Sequence, residues 1–449
     1  MPGKLTPTVT ARDVALAALA RVDDGAYANL ALPGMLARSG LSEGDRAAAT
    51  DLCYGTVRLR GALDHALRPW SRQPLEQLEP LVLRGLRLGA YELLFAGTAA
   101  HAALNEVVGA IRRAGSNGQA GYVNAVLRRL AGHPPDWPDP AVDPIGWATT
   151  RGSHPAWVIA ETLARLGDPA SAARELVALV EADNRRPRVS LRATPGPGPG
   201  RATTTDDLLA ELAAAGIAAA ASALAPGCVL LERGDPGALA AVREGRAVVQ
   251  DPASALVAPA LGAAPGDLVV DLCAGPGGKA GHLAALGARV LAVEPHPSRA
   301  RLVRDTARRL GVNERLLTVA ADGLALPLAP GRADAALVDA PCSNLGSLRR
   351  RPEARWRHQP EEVERLAALQ LDLMRAAAAA VRPGGTIVYS VCTWTARETD
   401  GVVDAALATI PGLEPAPLSG PAGSGTRRQL WPHRDDSDGV FLARLRKID

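Results

Sequence analysis

The sequence predicts an α/β protein. A doubly wound parallel sheet is preceded by an all-α bundle and a small α+β subdomain. Three observations carry this. From about residue 8 to 132, apolar residues recur at helical spacing between short Gly- or Pro-containing breaks. From about 252 to the end, aliphatic runs alternate with helical stretches, the pattern of parallel strands joined by crossover helices. Between these regions lie shorter strand-like runs around a helix.

In the first region, Thr10-x-x-Asp13 and Ser42-x-x-Asp45 have the form of capping boxes that open helices. Val14, Ala18 and Val22 keep the helical period, as do Leu75, Leu78 and Val82, and then Leu86, Ala90 and Leu93. Arg112-Arg113 and Arg128-Arg129 sit on otherwise apolar helices and read as solvated faces. A Pro- and Trp-bearing connection starts at His133. Helices are expected from Pro155 to Leu166 and then to Ala182. Strands are expected at Val189-Ser190-Leu191, Cys228–Leu231 and Ala247–Gln250, with a helix from Thr205 to Ala215. The Pro195-to-Gly200 repeat reads as a mobile loop. The expected divisions are therefore 1–135, 136–250 and 251–449. In the last, strands are expected at Leu268–Leu272, Arg289–Val293, Leu316–Ala320, Ala335–Val338 and Thr386–Tyr389.

Composition narrows the class. At 449 residues the chain exceeds one compact domain. A net charge of +3 is too small for a basic protein overall, so any nucleic-acid surface must be a local patch. No secretory signal pattern and no unbroken apolar span is seen, so a cytoplasmic protein without membrane contact is expected. The five cysteines are scattered and form no CxxC pair. That supports neither a disulfide framework nor a metal site.

The first strand of the last region runs into Asp271-Leu272-Cys273-Ala274-Gly275-Pro276-Gly277-Gly278-Lys279. Glycines here let the backbone turn tightly and approach a ligand. Glu294 ends the second strand, where a carboxylate takes ribose hydroxyls. A dinucleotide site would want G-x-G-x-x-G, and Pro276 and Lys279 crowd that turn. A nucleotide-kinase loop fails because Cys273 stands six before Lys279 and Ala280 follows it. An S-adenosylmethionine (SAM) site fits better, with Asp322 after the third strand placed for an adenine amino group.

Two cysteines follow directly on the fourth and fifth strands, in Asp339-Ala340-Pro341-Cys342 and Ser390-Val391-Cys392-Thr393. Residues just past the carboxyl ends of such strands line the ligand crevice. Methylation at C5 of a pyrimidine faces a poorly nucleophilic carbon. A thiolate added at C6 makes C5 enamine-like, so covalent catalysis divides one hard step into easier ones. Of two thiols, one attacks and the other stands near the base needed for release. Asp339 is placed to hydrogen-bond the cytosine N3–amino edge. A reactive thiol wants a neighbouring cation, for which Lys279 is the candidate.

With these motifs together, the chain resembles the bacterial Sun/Fmu-type 16S rRNA cytosine-C5 methyltransferases of the NOP2/Sun family. The resemblance extends to Arg349-Arg350-Arg351-Pro352, Trp356, Gln250-Asp251-Pro252-Ala253-Ser254 and Asp438-Gly439-Val440-Phe441-Leu442. Ala103–Val108 and Gly121–Arg129 resemble a NusB-type RNA-binding domain. The resemblance implies a Rossmann-like, SAM-dependent domain behind a NusB-like bundle. It implies Cys392 as nucleophile and Cys342 as the thiol that assists adduct release. Cys273, Ala274, Gly275, Pro276, Gly277, Gly278 and Lys279 would line SAM. Glu294 would bind ribose, Asp322 adenine, and Asp339 the sulfonium side or the target base. Asn344-Leu345-Gly346, Val391-Cys392-Thr393 and Ala396-Arg397-Glu398-Thr399 depart from the commoner family pattern, the last lacking the usual Glu-Asn pair.

RNA, 16S rRNA in the first instance, is the expected partner, met by a monomer. Arg349, Arg350, Arg351, Arg355 and Arg357 are expected to meet phosphates, and Trp356 and Trp394 to stack on an exposed base. Arg128 and Arg129 become RNA contacts under the resemblance. The alternatives are a tRNA or other rRNA site, a DNA cytosine enzyme, in which the Pro-Cys thiol attacks, and a non-catalytic RNA-binding assembly factor.

Overall fold

The computed structural model describes residues 9–194 and 203–449. The Pro195-to-Gly200 repeat lies outside them. The chain forms two compact units, 9–185 with Leu348–Arg357, and Arg186–Ser347 with His358–Asp449.

The first unit is helical. Ala11–Asp23, Ala28–Arg38, Glu43–Arg58, Arg60–Leu67, Pro80–Leu94, Ala100–Ala114 and Asn117–Gly132 pack on a core that includes Leu63, Leu86, Ile111 and Leu127, all fully buried. The expected caps form. Thr10 and Asp13 close a reciprocal capping box, and the Ser42 hydroxyl accepts the Asp45 N–H. Ser116 and Gln119 make a further box that the sequence reading missed. Arg87 is bidentate to Asp64 at 2.7 and 2.8 Å, the paired geometry in which guanidinium and carboxylate meet best. The helices Pro144–Thr149, Ala156–Leu166 and Pro169–Asn184 complete the unit together with the short segment Leu348–Arg357.

The second unit holds two sheets. In the smaller, β1 (Val189–Ala193), β2 (Ala219–Ala221), β3 (Cys228–Leu231) and β4 (Ala247–Val249) are antiparallel in the order β2-β3-β1-β4. The helix Thr205–Ala214 covers this sheet through Leu208 and Leu212.

The larger sheet comprises β5 (Leu268–Asp271), β6 (Arg289–Val293), β7 (Leu316–Val319), β8 (Ala333–Asp339), β9 (Val381–Val391), β10 (Leu413–Pro415), β11 (Arg427–Gln429) and β12 (Phe441–Lys447). Its order is β10-β12-β9-β8-β5-β6-β7, with β11 paired to β12. Strands β5 to β9 pair in parallel, and β12 adds antiparallel to β9. Apolar cores lie on both faces, as the near-continuous aliphatic strands require. The chain runs outward from β5 through β6 to β7, then returns to β8 on the other side of β5. That reversal puts a topological switch point at the carboxyl ends of β5 and β8, where open α/β sheets bind their ligands.

Candidate active site

Strand order brings the expected site residues to one edge. β5 ends at Asp271 and leads into the glycine turn. Glu294 directly follows β6, Asp322 lies shortly after β7, and β8 ends at Asp339. Because β8 and β9 pair with Asp339 opposite Ser390, Cys342 and Cys392 leave the sheet side by side.

The glycine turn is shaped by close approach. A Cβ on Gly275 would stand 2.2 Å from Glu294 Oε2, and Gly277 has φ +104°, where L side chains are strained. Gly277 caps the helix Gly278–Ala285. Glu294 is buried. Its Oε1 accepts the His296 N–H at 3.1 Å, and Arg299 lies 3.4 Å from Oε2. Asp322 is exposed and accepts the Leu324 N–H at 2.9 Å. Asp271 is buried, with Oδ1 accepting the Cys273 N–H at 3.3 Å and Oδ2 lacking a hydrogen-bond partner. Burial first, then the nearby Asp339 charge, pushes its carboxyl up to about 7. The same burial, with Asp271 and Asp339, raises the Cys273 thiol out of the reactive range. The residues present fit SAM. An orphaned buried carboxylate oxygen stands beside the glycine-rich turn, and a second carboxylate lies against Gly275.

Lys279 Nζ pairs with Asp339 Oδ2 at 2.7 Å. Burial works against the ammonium. The Asp339 carboxylate outweighs it, with smaller contributions from Cys392 and Asp271, and Lys279 is held above its ordinary pKa. The cation expected near the thiol is therefore shared with Asp339.

The two sulfurs stand 3.3 Å apart. Cys342 is buried, while Cys392 is half-buried. The hydrogen bond that Cys342 donates to Cys392, then burial, keeps the Cys342 thiol well above its ordinary pKa. Asn344, in the left-handed region at φ 60°, donates from Nδ2 to the Cys342 carbonyl at 2.7 Å, and its Oδ1 accepts the Cys392 S–H at 3.2 Å. The Cys392 carbonyl accepts the Gly346 N–H at 2.8 Å, and Gly439 N–H bonds Gly346 O at 2.7 Å. Asp251 accepts the N–H groups of Ala253 and Asp438, so the two flanking motifs meet at one carboxylate.

Behind the thiols lies a polar cluster that the sequence reading missed. Glu398, fully buried, accepts from Ser343 N–H at 2.8 Å, Ser343 Oγ at 2.5 Å, Gln370 Nε2 at 3.1 Å and Thr395 Oγ1 at 2.9 Å. Tyr389, its hydroxyl pKa raised chiefly by burial, lies 2.6 Å from the Glu398 carbonyl oxygen. The Glu398-Thr399 departure from the family pattern thus encloses an intact hydrogen-bond network. The one sequence signal was a Glu within a few residues of Cys392.

The expected RNA contacts separate. Arg355 is fully buried in the helical unit. Its Nη1 lies within hydrogen-bond distance of Arg58 O at 3.2 Å, Ser153 O at 3.0 Å and Asn184 Oδ1 at 3.0 Å. Arg349 is also buried, and its carbonyl accepts from Arg58. This burial corrects the expectation that both guanidinium groups meet phosphates. Arg357 and Arg351 lie over the Tyr27 ring at 4.1 and 5.3 Å. Arg350 is half-buried. Trp356 sits beneath Arg60 at 5.5 Å and lines a cavity of about 390 Å³. Trp394 is fully buried against Trp431, which excludes it as a stacking platform for a base. Arg128 and Arg129 are exposed, with Arg128 Nε donating to Asn124 Oδ1 at 3.1 Å. Among the described residues no helix is long and apolar enough to cross a membrane, and no His/Cys/Asp/Glu group is arranged for a metal ion.

A doubly wound sheet with this glycine turn at its switch point, joined to a helical unit, defines a Rossmann-like methyltransferase. Residues 258–446 match the model of the 16S rRNA methyltransferase RsmB/F family, and residues 9–132 match the NusB family. The Mycobacterium tuberculosis H37Rv protein Rv1407 is 44% identical over 443 residues, covering 94% of this chain and 93% of its own. Ribosomal RNA small subunit methyltransferase B of Thermus thermophilus is 38% identical over 445 residues, covering 98% of each chain. Among solved structures, PH0851 aligns with a TM-score of 0.84 at 23% identity over 99% of this chain and 100% of its own, a likeness of fold. NSun6 from Pyrococcus horikoshii with SFG aligns with a TM-score of 0.56 at 20% identity, over 66% of this chain and 98% of its own. The chain belongs to the RsmB/F family of methyltransferases and carries a NusB-family region at its N-terminus.

Proposed function

We propose that this enzyme forms 5-methylcytosine in RNA, with 16S rRNA as substrate, through a reversible bond between Cys392 and C6 of the target base. The observation that carries the reading is the pair of sulfurs 3.3 Å apart at the edge where the cofactor turn and the Lys279–Asp339 pair also lie. The names of the curated relatives support small-subunit rRNA as the RNA.

SAM, when bound, supplies an electrophilic methyl group. Asp271, Glu294 and the Cys273–Lys279 turn would hold it, with Asp322 at the adenine and Asp339 at the sulfonium side or the base. Cys392 is the more exposed thiol and contributes to the stabilisation of Lys279's charge, which favours it as the attacking thiolate. Its sulfur adds to C6 and leaves C5 enamine-like, and a methyl group supplied by SAM would be taken at C5, the electrons of the broken carbon–sulfur bond staying on the donor as a neutral thioether. A base removes the C5 proton, the double bond re-forms, and the sulfur leaves as thiolate. Cys342, held as a thiol by its burial and its neighbour, can give a proton to the departing sulfur. The cytosine must leave its stack to reach this edge, so an accessible or single-stranded rRNA segment is the expected substrate.

The test is SAM-dependent tritium release from C5-labelled cytosine RNA. Cys392→Ala is expected to be inactive and to form no adduct. Cys342→Ala is expected to trap an RNA complex that survives denaturing gels. Trapping by Cys392→Ala instead would reverse the roles, and full activity in both would end the thiol mechanism. Bisulfite sequencing of RNA from a deletion strain distinguishes 16S rRNA from tRNA or another rRNA. Retention of every 5-methylcytosine there would favour a non-catalytic assembly role.

A further inference from the structure

We infer that Glu398 is a positioning residue that sets the spacing of the two thiols, an inference whose catalytic meaning rests on the chemistry just proposed. Its carboxylate touches neither sulfur, and its described partners are all neutral donors. Burying a carboxylate without a cation is expensive unless every contact is well made. The contacts made here are specific in what they join. Ser343 directly follows Cys342, and Thr395 lies on the turn after Cys392. The Ser343 hydroxyl also meets Thr393 Oγ1 at 2.8 Å, on the residue next to Cys392. Gln370, on the helix Pro360–Ala380, donates both to Glu398 and to the Pro341 carbonyl just before Cys342. One side chain thereby fixes both cysteine turns to each other and to a long helix. The sulfurs stand on separate turns, so whatever ties the turns sets the distance between them.

Phenylarsine oxide reads that distance without catalysis. Its arsenic takes two neighbouring thiols, two S–H protons leaving with the oxygen as water. The wild-type enzyme is expected to bind one arsenical at this pair, and Cys342→Ala to lose it. Glu398→Ala is expected to bind the arsenical several-fold more weakly and to lose about 100-fold in kcat, the scale of a 1 Å misplacement. SAM affinity and the KM for RNA should change little. Glu398→Gln keeps the shape and an acceptor oxygen, and is expected to recover most of both losses. If Glu398→Ala does not fold, Ser343→Ala, which removes one hydroxyl link, carries the same measurements with smaller effects in the same direction. Wild-type arsenical binding and kcat in the folded variants would overturn the inference. If Cys392→Ala still methylates RNA while arsenical binding depends on Glu398, the thiol mechanism fails and the spacing role stands.

Discussion

Asp271 carries a cost that SAM, bound as proposed, would relieve. Its buried carboxyl is pushed up to about 7, and one of its oxygens has no partner. An unfolded aspartate titrates near about 4, so the folded state holds this proton more tightly. Below about pH 4 the residue is neutral in both states and costs nothing. As pH rises toward 7 the unfolded form ionises first and stability falls, by about 4 kcal/mol at most. Above that, both states are ionised and the loss is constant. Asp271→Asn keeps an acceptor for the Cys273 N–H and removes the charge. In the cofactor-free enzyme it is expected to melt with the wild type near pH 4 and above it at neutral pH. The same substitution should weaken SAM binding. A Tm difference that does not vary with pH would refute the electrostatic account.

The segment Leu348–Arg357 shows at the scale of an element what the sequence made legible and what it hid. Its run of arginines read as a solvated, phosphate-facing stretch, because charge density is what a sequence displays. The structure folds its Pro352–Trp356 turn into the helical unit. Arg355 there meets carbonyls from residues 202 and 297 positions away, and burial lowers its pKa to about 10. No local pattern announces acceptors so distant in the chain. Glu398 was hidden for the same reason, since its bond to Ser343 spans 55 residues. The five parallel strands were legible because each contains a short aliphatic run, and their carboxyl ends placed both cysteines and the glycine turn without further information. Strand β2, three alanines, has no β-branched residue to mark it. Arg355→Ala would leave buried carbonyls unpaired and is expected to destabilise the helical unit by about 3 kcal/mol in denaturant unfolding. Unchanged stability would mean that water replaces the guanidinium and that the residue is free for another role.

For the molecule as a whole, a net charge of +3 gives little long-range pull on RNA, so affinity must come from local arginines. Arg128 and Arg129 are an exposed pair in the NusB-family region, on the helix Asn117–Gly132, whose opposite face is buried through Val123, Val126, Leu127 and Leu130. Substituting both leaves that apolar face intact, so the fold should survive and any change in binding reports on charge. Each arginine that neutralises a phosphate of single-stranded RNA contributes about 0.7 to the slope of log affinity against log salt. Arg128→Ala with Arg129→Ala is therefore expected to weaken rRNA binding and to flatten that slope by up to about 1.4. Loss of this kind should be nearly independent of RNA sequence, because phosphate contacts position a partner and do not read it. Filter binding across a salt series, with circular dichroism confirming the helical unit, measures both quantities. An unchanged slope would assign the pair to a solvated helix face and leave RNA binding to other residues.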